Sequence, residues 1–370
     1  MKRRSFIAAG TAGLAATAAS ATIAAPAIAS GKLEWRMVTS WPKGLPGVGT
    51  GAEKLARTIG ELTDGRITVK VLAAGELVPA LQCFDAVANG TAELAHDAAY
   101  YHLSKSEACA FFTAFPFGLT ANELDAWVHH AGAQQLWDEL YAGFGLKAFL
   151  AGNTGVQMFG WFRKEINTAA DLKGLKFRTP GNNGRVLTRL GATVMTVPGG
   201  EIFTNLQSGA LDAAEWIGPL NDLALGFHQV APFYYAPGYH EPGAGLQMMV
   251  NKAKYDALPK DLQTALRVAA QSANNDMLAE YNALNGQSLM TLVQKHGVQL
   301  RRLSPELLTA LGTAANEVLN ELYEKGDPMT RKVIDSYLKF RGEVIPWTRV
   351  SEQTYAEARA LNIPHGIKGR

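Results

Sequence analysis

Four short segments decide the fold: FRTPG at 177–181, LGA at 190–192, PGGE at 198–201 and GALDAAEW at 209–216. An apolar run ends at Arg178, and turn residues follow at once. This order predicts a strand that ends in an arginine, at the edge of an α/β sheet where ligands bind. A guanidinium in that place holds a carboxylate through two parallel hydrogen bonds. The alternative is a surface arginine paired with an acidic neighbour.

Strand and helix patterns alternate before the chain becomes helical. The alternating part includes predicted strands at 33–41 and 67–72 and predicted helices at 52–62 and 123–142. Beyond residue 258 long helical patterns dominate, at 262–295, 305–325 and 328–340. We therefore expect α/β lobes followed by a helical C-terminal part. A mature chain of about 340 residues exceeds the size at which one core stops growing, so two lobes are expected.

Residues 1–29 are predicted to be a twin-arginine signal peptide. Arg3 and Arg4 precede a weakly apolar stretch rich in Ala, Gly and Thr, and Ala-Ile-Ala at 27–29 is a small-x-small cleavage site. Cleavage removes three of the 35 basic residues and none of the 33 acidic ones, so the mature chain is close to neutral. Because no basic cluster stands out, we expect no nucleic-acid or anionic-membrane partner. The expected location is the periplasm.

One segment echoes another. In 84–95 and again in 203–214, a helical pattern runs into a glycine, then an acidic residue, then the start of a strand. The echo makes His96-Asp97 correspond to Glu215-Trp216. Two lobes built on one plan would aim these positions into a shared cleft. The turn is common in α/β proteins, so the spacing alone leaves coincidence open.

Motifs for catalysis give no specific support to an enzyme. The sequence has no nucleophile elbow, zinc-protease helix or phosphate loop, and the glycine-rich stretch 47–52 lies too far from its preceding strand for a dinucleotide fingerprint. His129 and His130 are adjacent on a predicted helix, so they point apart and cannot chelate one metal. Cys83 and Cys109 leave two readings open, a disulfide or two buried thiols.

Two amides, Asn153 and Gln157, interrupt an otherwise apolar and aromatic run at 153–162. A buried amide without partners costs a few kcal/mol, roughly. A solute carboxylate or a metal ion would satisfy both side chains. The alternative, an amide bonded to backbone in a sharp turn, fits Asn153 better than Gln157.

These segments resemble the solute-binding proteins of the tripartite ATP-independent periplasmic (TRAP) transporters. The resemblance covers nearly the whole mature chain and is closest to the branch that binds 2-oxo or 2-hydroxy acids. It is carried by TSWP at 39–42, AAGE at 73–76, NTGVQ at 153–157, RTPG at 178–181, and PGGE at 198–201 through to Glu215-Trp216.

The resemblance implies a two-lobed, periplasmic-binding-protein-like α/β fold. Hinge strands and a long helix span the lobes, and a helical C-terminal part follows. The boundaries that we assign are 30–155 and 244–283 for lobe 1, 156–243 and 284–340 for lobe 2, and 341–370 for a C-terminal tail or helix.

The resemblance also implies the site. Arg178 matches the arginine that holds the solute carboxylate, and Asn153 matches a solute contact. The substrate-binding residues expected in all are Arg178, Asn153, Gln157, Tyr100, Tyr101, Trp216 and Gln247, of which the two tyrosines follow from the echo. The expected metal ligands are Gln157, Glu215 and the backbone carbonyl of Trp216.

Charge supports a bridging ion independently. Glu215 beside a carboxylate solute would place two negative charges together in a low-dielectric cleft, at a cost of several kcal/mol, roughly. Amide, carboxylate and carbonyl oxygens are ligands that hard cations prefer. With Arg178 at +1, Glu215 at −1 and the solute at −1, Na⁺ neutralises the set, whereas Ca²⁺ leaves +1. Sodium is therefore favoured, with calcium as the other candidate.

The expected function is that of a TRAP receptor for a small 2-oxo monocarboxylate such as pyruvate. It would bind this solute with a cation and deliver it to the membrane permease. The alternatives are a receptor for a 2-hydroxy acid such as lactate and, from another class, a periplasmic enzyme exported by the twin-arginine route. The C-terminal helices pack either on the lobes or on a second subunit, through apolar residues such as Leu311, Val318, Leu319, Leu322 and Tyr323.

Overall fold

The computed structural model describes residues 31–361 of the 370-residue chain. The signal peptide predicted at 1–29 lies outside the described residues. Among residues 31–361, no helix is both long and apolar enough to cross a bilayer.

Among the described residues, eleven strands form two sheets. They are β1 Leu33–Thr39, β2 Ile67–Leu72, β3 Leu94–Asp97, β4 Leu146–Asn153, β5 Gly160–Phe162, β6 Lys176–Arg178, β7 Thr193–Met195, β8 Ala213–Ala214, β9 Phe233–Ala236, β10 Gly245–Asn251 and β11 Gln299–Arg302. A first sheet has the order β2-β1-β3-β10-β4 and a second has the order β11-β9-β5-β8-β6-β7. In the first sheet β1, β2 and β3 are parallel, and β10 runs antiparallel to β3 and β4.

Helices cover both sheets. They are α1 Val48–Leu62, α2 Cys83–Ala88, α3 Ala121–His130, α4 Ala133–Ala142, α5 Gly181–Arg189, α6 Gly199–Ser208, α7 Pro219–Ala224, α8 Lys252–Asp256, α9 Lys260–His296, α10 Pro305–Lys325, α11 Pro328–Thr348 and α12 Thr354–Arg359. Short 3-10 segments occupy Ala99–His102, Glu107–Phe112, Ala169–Leu172 and Phe227–Gln229, and a π-helical turn occupies Arg349–Gln353.

Between β1 and β11, the last strand of the described residues, the chain passes three times from one sheet to the other. It leaves the first sheet after β4, returns between β9 and β10, and crosses again through α9, which is 37 residues long. Helix α9 packs on β4 and α1 of the first sheet and on α7, which lies between strands of the second. The predicted two-sheet α/β fold with a long connecting helix is confirmed. The exact lobe boundaries stay a prediction.

Local patterns predicted most elements, with one instructive difference. Strand β2 spans 67–72 as predicted, but the helix predicted over 123–142 is two helices, α3 and α4. Gly132 separates them with φ at +86°, a conformation that glycine adopts without the steric cost that a Cβ imposes. Thr120 and Glu123 form a capping box at the start of α3.

The repeated helix-to-strand turn forms at both places. Gly90 and Gly209 follow α2 and α6 with φ near +79° and +78°, and strands β3 and β8 begin a few residues later. In the first copy, His96 Nδ1 accepts a hydrogen bond from Trp41 Nε1 at 2.8 Å, and Trp41 packs edge-on against Trp216 at 6.2 Å. The two copies are therefore linked through one aromatic contact.

The C-terminal helices divide between the two sheets. Helix α10 packs on α5, whereas α11 packs on α4 and on Glu107–Phe112. In α11, Ser336 Oγ accepts from Trp127 Nε1 at 3.1 Å and the Tyr337 hydroxyl accepts from the Leu119 backbone N–H at 3.0 Å. Helix α11, whose residues 328–340 our boundaries place in lobe 2, contacts α10 as well as α3 and α4, so the assignment of this segment to a lobe stays a prediction.

The apolar C-terminal residues named above pack within the chain. Leu311, Val318 and Leu322 are buried, and Leu319 packs against the same core. Of this set, Tyr323 is exposed. A second subunit is therefore not needed to cover the other four residues.

Cys83 and Cys109 are both buried and not joined to each other. Burial raises the pKa of each thiol, so both are neutral. Of the two readings left open by the sequence, the structure has two buried thiols.

Candidate functional site

Four polar residues meet where the chain crosses between the sheets. Arg178 is the last residue of β6, and Glu215 follows β8, its parallel neighbour. Gln157 lies in the first crossing segment and Glu241 in the second. The site thus combines two strand ends with two crossing segments, as expected for a ligand site in an open α/β sheet.

Backbone contacts fix the two crossing segments side by side. The Gln157 N–H donates to the Glu241 carbonyl at 3.2 Å, and the Gly238 N–H donates to the Gln157 carbonyl at 3.0 Å. A Cβ at Gly238 would lie 2.2 Å from that carbonyl oxygen, so a larger residue would force the segments apart. This close approach places the Gln157 amide next to the Glu241 carboxylate.

Arg178 is completely buried, and two of its three guanidinium nitrogens donate hydrogen bonds. Its Nε donates to the Val197 carbonyl at 3.0 Å, and its Nη1 donates to the Glu215 carbonyl at 2.9 Å and to Glu215 Oε1 at 2.8 Å. Among the described residues, Nη2 has no hydrogen-bond partner. The acidic partner considered from the sequence is present, but the pair is fully buried rather than on the surface. One edge of the guanidinium thus remains for a ligand anion.

Glu241 and His240 are members of this cluster that the sequence analysis missed. Glu241 Oε2 accepts from Gln157 Nε2 at 2.7 Å and from the Tyr100 hydroxyl at 3.5 Å. His240 Nε2 lies 3.4 Å from Glu215 Oε2. One ligand atom from each of Glu215, His240 and Glu241 lies within 4.8 Å of the others. The only signal in the sequence was a His-Glu pair followed by Pro-Gly, which by itself indicates a turn.

The charge balance of the cluster depends on the protonation of Glu241. Burial raises the pKa of Glu241, and the nearby charge of Glu215 raises it further, whereas Arg178 opposes this rise. Neutral Glu241 leaves Glu215 and Arg178 balanced, whereas ionised Glu241 places two buried carboxylates against one guanidinium. A bound cation would remove the excess and make the ionised form of Glu241 favourable.

Several buried polar atoms of the cluster have no hydrogen-bond partner among the described residues. They are Gln157 Oε1, Glu215 Oε2, Arg178 Nη2, Trp216 Nε1 and both ring nitrogens of His240. Buried polar atoms are normally paired, so this set indicates a place for a ligand, with Glu215 Oε2 also lying 3.4 Å from His240 Nε2. Amide and carboxylate oxygens suit a hard cation such as Na⁺ or Ca²⁺, and a guanidinium N–H suits a carboxylate. The residues present therefore fit an ion and an anionic solute together.

An aromatic wall borders the cluster. The Trp216 ring lies over the Arg178 guanidinium with 5.1 Å from Cζ to the ring centroid. Tyr100 and Tyr101 pack edge to face at 4.9 Å. The first glycine of PGGE allows the Trp216 ring to lie against the backbone, because a Cβ at Gly199 would lie 2.4 Å from that ring. Arg178, Gln157, Glu215, Trp216 and Tyr100 are thus brought together, with Tyr101 packed edge to face against Tyr100.

Asn153 and Gln247 have other partners. Asn153 Oδ1 accepts from the Gly155 N–H at 2.8 Å, and its Nδ2 donates to the Gly243 carbonyl at 3.4 Å. This is the turn alternative considered from the sequence, so a solute contact by Asn153 stays a prediction. Gln247 Nε2 donates to Asp97 at 2.7 Å and its Oε1 accepts from the Tyr141 hydroxyl at 2.9 Å. The structure does not bring Gln247 to the cluster, because the interior of the first sheet satisfies both of its polar atoms.

The chain is similar in sequence to a known family of proteins. Residues 37–326 match the family model described as bacterial extracellular solute-binding protein, family 7. The chain is 44% identical over 323 residues to a monocarboxylate 2-oxoacid-binding periplasmic protein of Nostoc sp., an alignment that covers 87% of this chain and 88% of the relative.

Two solved structures are similar over almost their whole length. One is a TRAP periplasmic solute-binding protein from Pseudoalteromonas atlantica with bound sodium and pyruvate, at 41% identity and a TM-score of 0.85, covering 88% of this chain and 99% of that one. The other is a TRAP solute-binding protein from Bordetella bronchiseptica, at 39% identity and a TM-score of 0.87, covering 89% of this chain and 98% of that one. The latter is described as a mixed-occupancy dimer with calcium and picolinate in one active site and an apo second site.

Proposed function

We propose that this chain, which belongs to family 7 of the bacterial extracellular solute-binding proteins, binds a small 2-oxo monocarboxylate together with a cation. It is a TRAP solute receptor and not an enzyme, and the family implies a location in the periplasm and a membrane permease as partner. Export by the twin-arginine route belongs to the proposal.

The observation that carries this proposal is the set of unpaired atoms around Arg178. Within residues 31–361, the buried donor Arg178 Nη2 and the buried acceptors Gln157 Oε1 and Glu215 Oε2 have no hydrogen-bond partner. A monocarboxylate alone would satisfy the donor but add a negative charge beside Glu215, and a further one beside Glu241 whenever that residue is ionised. A cation alone would leave the donor unpaired. Solute and ion together satisfy both kinds of atom.

A 2-oxo acid fits this requirement better than a simple carboxylate. Pyruvate presents a carboxylate oxygen and a ketone oxygen on neighbouring carbons, so both can reach one ion. Picolinate, found with calcium in the similar Bordetella protein, likewise has a ring nitrogen beside its carboxylate. The two ligands share a carboxylate next to a second lone-pair donor, which is the feature that we expect this site to select.

In this arrangement the residues of the chain have distinct tasks. Arg178 directs Nη2 to the solute carboxylate while its bonds to Val197 and Glu215 hold the guanidinium in place. Gln157, Glu215 and Glu241 would hold the ion, with the carbonyl of Trp216 as a further predicted ligand. The ion neutralises charge and bridges solute to protein. Tyr100 and the Trp216 ring exclude water from the solute.

A thermal-shift experiment tests the proposal. Pyruvate should raise the unfolding temperature only when Na⁺ or Ca²⁺ is present, because neither component alone satisfies the site. Pyruvate should be recovered unchanged, since the protein is a receptor. Lactate tests the alternative solute class. A larger rise in unfolding temperature with lactate than with pyruvate would assign the site to 2-hydroxy acids instead. Stabilisation by neither acid with either ion would contradict the proposal.

We also propose that two copies of the chain associate through the C-terminal segment. After Pro346 in α11, large apolar side chains are exposed, namely Trp347 at 67%, Val350 at 70%, Tyr355 at 66% and Leu361 at 62%. The occupant that we assign is a second copy, which agrees with the dimeric description of the similar Bordetella protein.

The oligomeric state tests this second proposal. Light scattering after gel filtration should give the mass of a dimer, and Trp347→Glu together with Tyr355→Glu should give a monomer that still binds pyruvate. The matched control is Tyr323→Glu, an exposed tyrosine on α10 outside the segment. A monomeric wild-type protein, or a dimer unaffected by the double change, would refute the assignment.

A further inference from the structure

The candidate site is closed to solvent in this structure. Arg178 and Glu215 are 0% exposed, and Gln157 and Glu241 are 3% exposed. A solute therefore enters or leaves only when parts of the chain around the crossing segments move apart. Contacts that join these parts must break during release, so they influence how long the solute stays bound.

One buried residue, Asn221, joins three such parts. Its Oδ1 accepts from the Tyr281 hydroxyl at 2.6 Å, and its Nδ2 donates to the Pro46 carbonyl at 2.6 Å. Asn221 lies in α7, between strands of the second sheet, whereas Pro46 lies between β1 and α1 on the side of the first sheet. Tyr281 belongs to the connecting helix α9. We call Asn221, Tyr281 and Pro46 the Asn221 joint.

Packing around the joint is tight. Asn221 and Tyr281 are both 0% exposed. Gly47 follows Pro46 with φ at +73°, and a Cβ there would lie 2.4 Å from ring and hydroxyl atoms of Tyr281. A side chain would not fit, so the tyrosine ring lies directly against the backbone of this loop. The joint therefore depends on a close approach between α9 and the loop before α1.

Helix α7 is firmly attached to the second sheet and to the site. It begins shortly after Glu215 and Trp216, and Asp222 accepts from Trp161 Nε1 at 2.9 Å and from the Tyr234 hydroxyl at 2.6 Å. The Leu220 N–H donates to Asn285 of α9 at 3.0 Å. Because α7 is anchored to the second sheet, movement of the Pro46 loop away from α7 must break the hydrogen bond from Asn221 Nδ2 to the Pro46 carbonyl.

We propose that Asn221 is a positioning residue for solute binding that holds the closed form through the Asn221 joint. It contacts neither the unpaired atoms of Arg178 nor those of Gln157, but it fixes the segment that carries Glu215 against α9 and the loop before α1. The inference rests on the proposed function, since the solute is expected to be a 2-oxo acid. Its consequence is that loss of the joint speeds solute release.

Release kinetics test the joint. Tyr281→Phe removes one hydroxyl, and Asn221→Ala removes both hydrogen bonds. Each variant should release pyruvate about tenfold faster or more, with a smaller change in the association rate, because each loses buried hydrogen bonds between moving parts. Stopped-flow measurement of tryptophan fluorescence suits this test, since Trp41 and Trp216 lie at the site.

Tyr235→Phe is the matched control. Its hydroxyl is also buried and donates to the Ile166 carbonyl at 3.0 Å, but both residues belong to the side of the second sheet. This variant should lose some thermal stability and release pyruvate at the wild-type rate. Wild-type release from both Tyr281→Phe and Asn221→Ala, or equally fast release from the control, would overturn the role of the joint.

Hydrogen exchange of the ligand-free proteins separates this inference from the proposed function. Failure of the wild-type protein to bind pyruvate would refute the solute assignment alone. Exchange then decides the joint: in Tyr281→Phe and Asn221→Ala, the backbone amides of 47–51 and of 220–224 should exchange faster than in the wild type. Unchanged exchange of the 47–51 amides would refute the joint itself.

Discussion

Replacing Arg178 by lysine should weaken solute binding at least about 30-fold, nearly as much as replacing it by alanine. Lysine keeps the charge but cannot bond Val197, Glu215 and a solute from one planar group. A charge-assisted contact of this kind contributes about 2 to 3 kcal/mol, and about 1.4 kcal/mol corresponds to tenfold in affinity. Isothermal calorimetry with pyruvate and a saturating cation measures the loss.

Arg185→Lys is the control for this prediction. Arg185 lies on α5, its side chain is 42% exposed, and it pairs with Glu107. Exposed ion pairs contribute little, so this variant should bind pyruvate as the wild type does. An Arg178→Lys protein with affinity close to wild type would mean that Arg178 supports the fold of the strand ends without contacting solute.

Changing the carboxylates should change which cation supports binding. Arg178 contributes +1, Glu215 and Glu241 contribute −1 each when ionised, and a monocarboxylate solute contributes −1, so the four groups sum to −2. Ca²⁺ neutralises this set. The sequence-based preference for Na⁺ omitted Glu241, and sodium neutralises the set only when Glu241 is protonated or replaced. Glu241→Gln should therefore lower Ca²⁺-supported affinity for pyruvate about tenfold or more and affect Na⁺-supported affinity much less.

Of the two carboxylate substitutions, Glu215→Gln should lower pyruvate affinity more than Glu241→Gln does. Its side-chain oxygen still accepts from Arg178 Nη1, but the unpaired Oε2 that faces the cluster is replaced by an amide N–H₂. Pyruvate affinity should fall by at least an order of magnitude, about 1.4 kcal/mol, with either cation, and its dependence on added cation should disappear. Calorimetry after chelation and dialysis, with each cation added back, measures both changes.

A different result would reveal a different role for Glu215. If this carboxylate faced the solute without an ion, its removal would relieve repulsion and strengthen binding. Tighter binding of pyruvate by Glu215→Gln in metal-free buffer would therefore exclude the bridging ion. Glu107→Gln serves as a control for general loss of negative charge, since Glu107 lies in an exposed ion pair with Arg185.

The sequence by itself determined those features that depend on neighbouring residues. The alternation of strand and helix and the turn after Arg178 are local, so they placed this arginine at a strand end. The repeated pattern of helix, glycine and strand likewise placed Glu215 at a strand end. The left-handed conformation of Gly209 depends only on the helix that it ends, so this turn is also local. The two-sheet fold followed from these patterns together with the resemblance.

Only the tertiary structure decided what these residues contact. Glu241 and His240 lie in a crossing segment without a periodic pattern, and backbone pairing with the other crossing segment brings Glu241 to Gln157. Likewise the partners of the Gln247 amide, Asp97 and Tyr141, lie far from it in sequence. The physical reason is that burial and hydrogen-bond partners of a polar side chain depend on segments distant in sequence. The set of charged groups at the site was therefore fixed by chain crossing and not by any local motif.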